Sequence, residues 1–443
     1  MGSDVAERAL VVGLAVAGAS AARALKARGT EVVASDDEPE RSAHREAQRL
    51  GIPLVERPDR AALRGLVAGV DLVVPSPGVP AHHPVFELAR AAGVRVWSEF
   101  ELAARWSSVP LVAITGTNGK TTVTNLATEM LRASGVRATA AGNNELPLVD
   151  AIDSDVDVIV VEASSFRLKF TETFRPAVAA WLNLAPDHLD WHPSMADYAA
   201  AKARIWAGQR GDDVAVVNAD DPEVMAAAST APARVMTFSL SAAGDYHRAG
   251  DRLVGPDGET LAFVSELPRA FPHDLANALA ASASALNAGG TLIACRSVLA
   301  SFRGFPHRVT FVRDAGGVRY YDDSKATTPA SVLAATSAFE SVVLIAGGRN
   351  KGLDLSVLRE TAPPVRAVVA IGEAQPEITA AFAGRVPVIP AASMDEAVAA
   401  AAETARPGDV VLLSPACASF DWYASYGERG DDFARAVRAL PQR

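Results

Sequence analysis

One stretch limits the fold more than any other. Leu111-Val112-Ala113-Ile114 is an apolar run, and Thr115-Gly116-Thr117-Asn118-Gly119-Lys120-Thr121-Thr122 follows it directly. The run reads as a buried strand, and residues 123–133 have helical spacing, with Met130 and Leu131 near the end. A strand, a glycine turn and a helix start, in that order, make a phosphate cradle. The turn's N–H groups and the helix dipole favour an anion, Lys120 adds positive charge, and the Thr121 hydroxyl can ligate Mg²⁺. Strict Gly-x-x-x-x-Gly-Lys-Ser/Thr spacing requires glycine at position 114. Ile114 stands there, so the turn is a shortened variant.

The chain's 443 residues are too many for one core, and about three domains are expected. A net charge of −10 leaves no basic stripe to displace counterions, which argues against a nucleic-acid partner. Cys295 and Cys417 are the only cysteines and cannot build a disulfide framework, so a reducing cytoplasm is expected. Asp4 and Glu7 sit where a signal peptide would be basic. The apolar runs fall short of the ~18 residues a membrane span needs, so no membrane insertion is expected.

Around the central turn, two other α/β regions are legible. Residues 9–12 read as a strand and Gly13-Leu14-Ala15-Val16-Ala17-Gly18 as a turn. A helix is expected over 19–28, then a strand over 31–34 closed by Ser35-Asp36. This is a Rossmann-like βαβ unit with Ala15 at the second glycine position. Alone it fits a dinucleotide, another nucleotide or an empty structural turn. Asp36 is placed to bind ribose hydroxyls, and Ser76 lies in a proline-stiffened turn after a strand expected over 70–74. Residues 106–110 read as a joint between domains.

Beyond the phosphate turn, a strand over 157–161 ends at Glu162, where a Mg²⁺ ligand belongs. Residues 181–184 read as another strand. His188 and His192 have the spacing of a zinc pair, but no cysteine or His-Glu motif supports zinc. Residues 194–206 read as a helix with a Ser194/Asp197 capping pattern, and by pattern its Lys202 is a surface lysine. A second joint is expected over 302–308. Past it, strands over 318–321, 342–346 and 410–413 deliver Lys325, Lys351 and Ser419 toward one sheet edge. Two lysines and hydroxyls converging there suit a carboxylate or phosphate.

Together these residues resemble the Mur ligase family, most closely its D-glutamate-adding branch. The resemblance rests on Thr115 to Thr122, Asp187-His188-Leu189-Asp190, Ala201-Lys202-Ala203-Arg204, Asp323-Ser324-Lys325-Ala326-Thr327, and the run from Leu413 to Ser419, and it covers nearly the whole chain. It implies an α/β fold of three domains. These are a Rossmann-like UDP-binding domain (1–107), a central P-loop ATPase domain (108–303) and a Rossmann-like C-terminal ligase domain (304–443). It implies an ATP-dependent ligase acting on UDP-N-acetylmuramoyl-L-alanine and D-glutamate through an acyl phosphate, in the cytoplasm, as a monomer.

The resemblance also implies roles for single residues. Gly13, Gly18, Asp36, Ser76 and Asn143 would serve the UDP substrate. Gly116, Thr117, Asn118, Gly119, Lys120, Thr121, Thr122, Asp274, Asn277, Arg308 and Asp323 would serve ATP. Two Mg²⁺ ions would use Thr121, Glu162, His188 and an N6-carboxylated Lys202. Lys325, Thr327, Lys351, Ser419 and Tyr426 would receive the amino acid, with Lys120, His188, Lys202 and Lys325 catalytic. The chain departs from the family's usual pattern at Asn144 and Glu145, where isoleucine and glycine are usual. It departs again at Ala163 and Arg167, where leucine and glutamine are usual, at Asp274 in place of asparagine, and at Val16. The alternatives are a sister Mur or folylpolyglutamate-type ligase, a ligase for L-glutamate and, from another class, an NAD-dependent dehydrogenase.

Overall fold

Continuous apolar runs become strands buried on both faces, as parallel sheets require. In the computed structural model, which describes residues 6–143, 146–241 and 244–441, the strands fall into three sheets. The first contains β1 (Arg8–Val12), β2 (Glu31–Asp36), β3 (Leu54–Glu56), β4 (Leu72–Pro75) and β5 (Arg95–Val96). Its order is β3-β2-β1-β4-β5, all parallel. Strand order reverses direction at β1, so the ends of β1 and β4 frame the crevice where open α/β sheets bind ligands.

The second sheet contains β6 (Leu111–Thr115), β7 (Ala138–Gly142), β8 (Val158–Glu162), β9 (Val178–Trp181), β10 (Val214–Asn218), β11 (Arg234–Ser239), β12 (Tyr246–Ala249), β13 (Arg252–Val254) and β14 (Thr260–Phe263). β6 lies between β8 and β9, in register Ile114↔Glu162 and Thr115↔Trp181. The third sheet contains β15 (Thr310–Ala315), β16 (Val318–Asp322), β17 (Val342–Gly347), β18 (Val365–Ile371), β19 (Val388–Pro390) and β20 (Val410–Leu413). Its order is β15-β16-β20-β17-β18-β19, with β15 alone antiparallel.

The chain forms two compact units. The first comprises Met1–Leu184, Trp191–Leu267 and Ala276–Ser301, and holds the first two sheets, with one apolar cluster drawing on both and another, including Leu10, Val73 and Val85, in the first sheet. The second comprises Ala185–Asp190, Pro268–Leu275 and Phe302–Arg443, and holds the third sheet.

Several elements differ from the sequence expectation. The helix expected from residue 19 spans Val16–Ala27, because Ala15 already takes the extended capping conformation. The helix after the phosphate turn begins at Lys120, not at 123, with Gly119 as its cap. The strand expected over 181–184 is instead β9, ending at Trp181. Past it the chain leaves the ladder, and Asn183 turns its backbone and side chain onto the phosphate turn. The short antiparallel strands β12 to β14 carry weak alternation and had no sequence signal. Ser194 caps its helix as expected, its Oγ accepting from Asp197 N at 3.1 Å.

Candidate active site

The phosphate turn owes its shape to two glycines. Gly116 has φ +156° and Gly119 φ +85°, and a Cβ at Gly119 would lie 2.5 Å from Asn277 Oδ1. The turn is locked from the β9 end: Asn118 N donates to Asn183 Oδ1 (2.8 Å), Asn183 Nδ2 to Asn118 O (3.2 Å) and Thr117 N to Asn183 O (3.0 Å). Thr117 Oγ1 meets Tyr198 Oη at 3.3 Å. Asn183 and Tyr198 were missed in the sequence; an amide just past a strand end beside a glycine turn is the signal that could have found Asn183.

Lys120 Nζ donates to Gly116 O (2.8 Å) and Thr117 O (2.9 Å), so its charge sits inside the turn. Lys202 is not at the surface. Its side chain is 1% exposed, its Nζ donates to the same Gly116 O at 2.7 Å, and it lies 4.6 Å from the centre of the Tyr198 ring. The surface reading fails because residues 199, 200, 201 and 203 are all alanine, and their small side chains let the helix approach the turn closely. Two ammonium groups thus converge on one carbonyl beside the cradle, an arrangement that a polyanion stabilises.

Glu162 ends β8 next to the turn and is 3% exposed. Its Oε1 accepts from Asn143 Nδ2 at 3.3 Å, while its buried Oε2 has no hydrogen-bond partner among the described residues. A buried carboxylate oxygen left without a donor is costly, and a hard divalent cation satisfies it. The residues therefore fit Mg²⁺ at Glu162, with the half-buried Thr121 at the head of the adjoining helix. Asn144 and Glu145 lie outside the described residues.

In the first sheet, Gly13 has φ +80°, and a Cβ at Gly18 would lie 1.9 Å from Gly13 O, so both positions demand glycine. Ser76 Oγ donates to Gly13 O (2.7 Å), joining the β1 and β4 turns. Asp36 Oδ2 accepts from Leu14 N (2.8 Å) and Oδ1 from Glu38 N (3.0 Å), so this carboxylate also shapes the turn.

In the second unit, β16, β20 and β17 are neighbours, and the loops leaving them carry Lys325 and Thr327, Ser419, and Lys351. The sequence reading of one shared edge is what the sheet order gives. Arg429, 1% exposed, ties the loops together by donating to Ser324 Oγ (2.9 Å), Ser324 O (2.8 Å) and Cys417 O (3.1 Å). Burial lowers its pKa to about 10, which leaves it charged at neutral pH. Lys325 Nζ lies 3.9 Å from the centre of the Tyr426 ring, and Ser419 is buried. Asp323 is buried, accepting from Ser414 Oγ (2.8 Å) and Val309 N (3.2 Å), and burial pushes its carboxyl up to about 7. Asp274 pairs with Arg269 Nε at 3.1 Å. His188, at φ +54°, faces its neighbour Asp187 (Nε2–Oδ2 3.3 Å). Asn277 is placed at the phosphate turn, and Arg308 is half-buried in the second unit.

Comparison with known proteins gives this arrangement a family. A UDP-N-acetylmuramoylalanine–D-glutamate ligase from Frankia casuarinae is 44% identical over 97% of this chain and 93% of its own. The chain belongs to the Mur ligase family. A protein of the same name from Myxococcus xanthus is 43% identical over 98% of both chains. The family's middle-domain pattern matches residues 114–285, and its glutamate ligase domain matches 307–417. Among solved structures, a pseudomurein peptide ligase type C from Methanothermus fervidus shares the Mur ligase fold. Its TM-score is 0.63 at 16% identity, over 98% of this chain and all of its own.

Proposed function

We propose that this Mur ligase joins D-glutamate to UDP-N-acetylmuramoyl-L-alanine at the expense of ATP, in peptidoglycan precursor synthesis. The observation that carries the reading is near-full-length identity above 40% to relatives bearing that name. Making an amide from a carboxylate in water requires activation. The γ-phosphoryl group of ATP passes to the alanine carboxylate, and the glutamate amine attacks the resulting acyl phosphate. Phosphate then leaves from the tetrahedral intermediate. No enzyme nucleophile takes part; positioning and charge neutralisation do the work.

Within the first unit, the turn from Gly116 to Thr122 cradles the phosphates, Lys120 neutralises charge transferred with the γ-phosphoryl group, and Asn277 borders the nucleotide. Asp274, Arg308 and Asp323 are proposed to complete the nucleotide site. Gly13, Gly18, Asp36, Ser76 and Asn143 hold the UDP substrate. Lys325, Thr327, Lys351, Ser419 and Tyr426 receive the amino acid, and the buried Arg429 holds their loops in place. Mg²⁺, when bound by Thr121 and Glu162, supplies charge neutralisation at the phosphates. A second ion is assigned to His188 and an N6-carboxylated Lys202. The shared carbonyl of Gly116 supports that modification: a carbamate there removes the repulsion between Lys202 and Lys120 and offers oxygen ligands.

The domain limits 1–107, 108–303 and 304–443, a cytoplasmic location and a monomeric state belong to the same reading. A dehydrogenase would leave Lys120 and the amino-acid loops without a task. The test is ADP release, coupled to NADH oxidation, with D-glutamate or L-glutamate as the amine. Release that requires UDP-N-acetylmuramoyl-L-alanine and prefers the D-enantiomer is expected; equal rates with both enantiomers refute the stereochemical assignment.

A further inference from the structure

Behind Glu162 and Asn143 runs a chain of polar contacts whose far members, Arg167 and Glu99, have no part in the proposed chemistry. Glu99, 3% exposed, heads the helix Glu99–Trp106 and forms an ion pair with Arg167, 7% exposed, between Oε1 and Nε at 3.0 Å. The other Glu99 oxygen accepts from Val149 N at 3.1 Å. Arg167 Nη1 donates to Asn143 Oδ1 at 2.8 Å and reaches Ser164 Oγ at 3.4 Å. Asn143 Nδ2 then donates to Glu162 Oε1 at 3.3 Å, and Asn143 N to the Glu162 carbonyl at 2.9 Å.

The donor and acceptor inventory makes this chain directional. A guanidinium only donates, and an ionised carboxylate only accepts. An asparagine between them has one orientation that satisfies both, with its carbonyl toward Arg167 and its NH₂ toward Glu162. The flipped amide would set NH₂ against guanidinium and carbonyl against carboxylate. A neutral amide such as glutamine at 167 could itself flip to present either group and so would leave Asn143 free to turn. In this chain the charge on Arg167 removes that freedom. Glu99 compensates the buried cation, which would otherwise be expensive to hold there. The consequence falls on Glu162: Oε1 is occupied and its direction fixed, while Oε2 is buried and has no donor among the described residues.

We propose that Arg167, compensated by Glu99, is a positioning residue that fixes the Asn143 amide and through it aims the free oxygen of Glu162 at a divalent cation. The proposal rests on the reading of Glu162 as a metal ligand. It is specific to this chain's Arg167, since the direction of the relay comes from a group that cannot accept a hydrogen bond. Arg167 also lines a pocket with Ser76, Glu99, Phe166, Phe170 and Trp191. The residue thus shares a pocket with Ser76 of the turn assigned to UDP and belongs to the chain of contacts leading to Glu162.

The test is Mn²⁺ binding, followed by loss of the free-ion EPR signal, on the full chain with a stoichiometric non-hydrolysable ATP analogue. Arg167→Met should weaken Mn²⁺ binding about tenfold, the low end for groups that orient a metal ligand. Arg167→Lys, which still only donates, should recover most of the loss. The paired variant Glu99→Gln with Arg167→Met removes both buried charges, so it folds even if the single change does not. It should bind Mn²⁺ as weakly as Arg167→Met. Wild-type affinity in the paired variant, with Glu162→Gln weakened, overturns the positioning role while leaving the metal ligand standing. Wild-type affinity in Glu162→Gln overturns the metal reading itself. Failure of Arg167→Lys to recover binding overturns the donor argument.

Discussion

Replacing Gly119 with alanine tests the geometry of the phosphate turn. Gly119 sits at φ +85°, which costs an L-residue about 1–2 kcal/mol. The new Cβ would also lie 2.5 Å from Asn277 Oδ1 and 3.2 Å from Leu182 Cδ1, the first well inside the 3.0 Å that real Cβ contacts respect. Asn277 must rotate away, at about 0.5–1.5 kcal/mol if it leaves its rotamer. Gly119→Ala should therefore destabilise the fold by about 1.5–3.5 kcal/mol. It should also raise KM for ATP about tenfold or more, because the displaced amide and the strained turn both border the nucleotide. A double-mutant cycle separates the two costs. In Asn277→Ala the clash is gone, so adding Gly119→Ala should cost only the backbone strain, and the pair should be less damaged than the sum by about 0.5–1.5 kcal/mol. Urea unfolding and steady-state kinetics on the four proteins read this directly. Strict additivity would show that Asn277 does not confine the turn, and the reasoning would fall.

Three further outcomes are expected. Lys120→Ala should abolish ADP release while moving Tm by only a degree or two, since the bonds it loses run to two carbonyls of its own turn; wild-type turnover in that variant refutes the phosphate assignment. Lys202→Ala should lose most activity and regain part of it with millimolar acetate or formate, and Lys202→Arg should do no better than alanine, because it keeps the wrong charge; mass spectrometry showing an unmodified lysine in fully active enzyme would count against the carbamate. Asp323, whose carboxyl is raised from 3.8 to about 7, binds a proton more tightly folded than unfolded, so its contribution to stability is complete below 3.8 and is lost as pH rises through 7. Asp323→Asn should flatten that fall, by at most about 1.4 kcal/mol per pH unit, in urea midpoints measured at pH 5 and 7.5; an unchanged slope would place the titration elsewhere.

How much of this the sequence could show depends on which interactions leave a periodic trace. β6, β8 and β20 are legible because parallel strands buried on both faces must be runs of apolar residues. The phosphate turn is legible because its chemistry demands glycine, lysine and threonine at fixed spacing. The shared edge of Lys325, Lys351 and Ser419 is legible in part, since each follows a strand, although their adjacency comes from the order β16-β20-β17, which no local pattern encodes. Asn183, Tyr198 and Arg429 are different. Their roles depend on partners far along the chain, such as Arg429 holding Ser324 and Cys417.

Lys202 shows why composition misleads where charge is buried. A lysine among alanines has the same helical pattern whether it faces solvent or a neighbouring turn, because alanine permits both. What decides is the acceptor: the Gly116 carbonyl takes a hydrogen bond from Lys202 as well as from Lys120. A fold does not gather two cations on one oxygen for stability, since the repulsion grows as the surroundings dry. The same economy appears at Glu162, where a buried oxygen has no donor among the described residues while its twin is held through Asn143 and Arg167. Two ammonium groups on one carbonyl and, among the described residues, a buried carboxylate oxygen without a donor each carry a cost while no ligand is bound. In the proposed function a nucleoside triphosphate and a divalent cation would relieve both by binding together, so that the free energy withheld from the empty site becomes affinity for that pair of ligands.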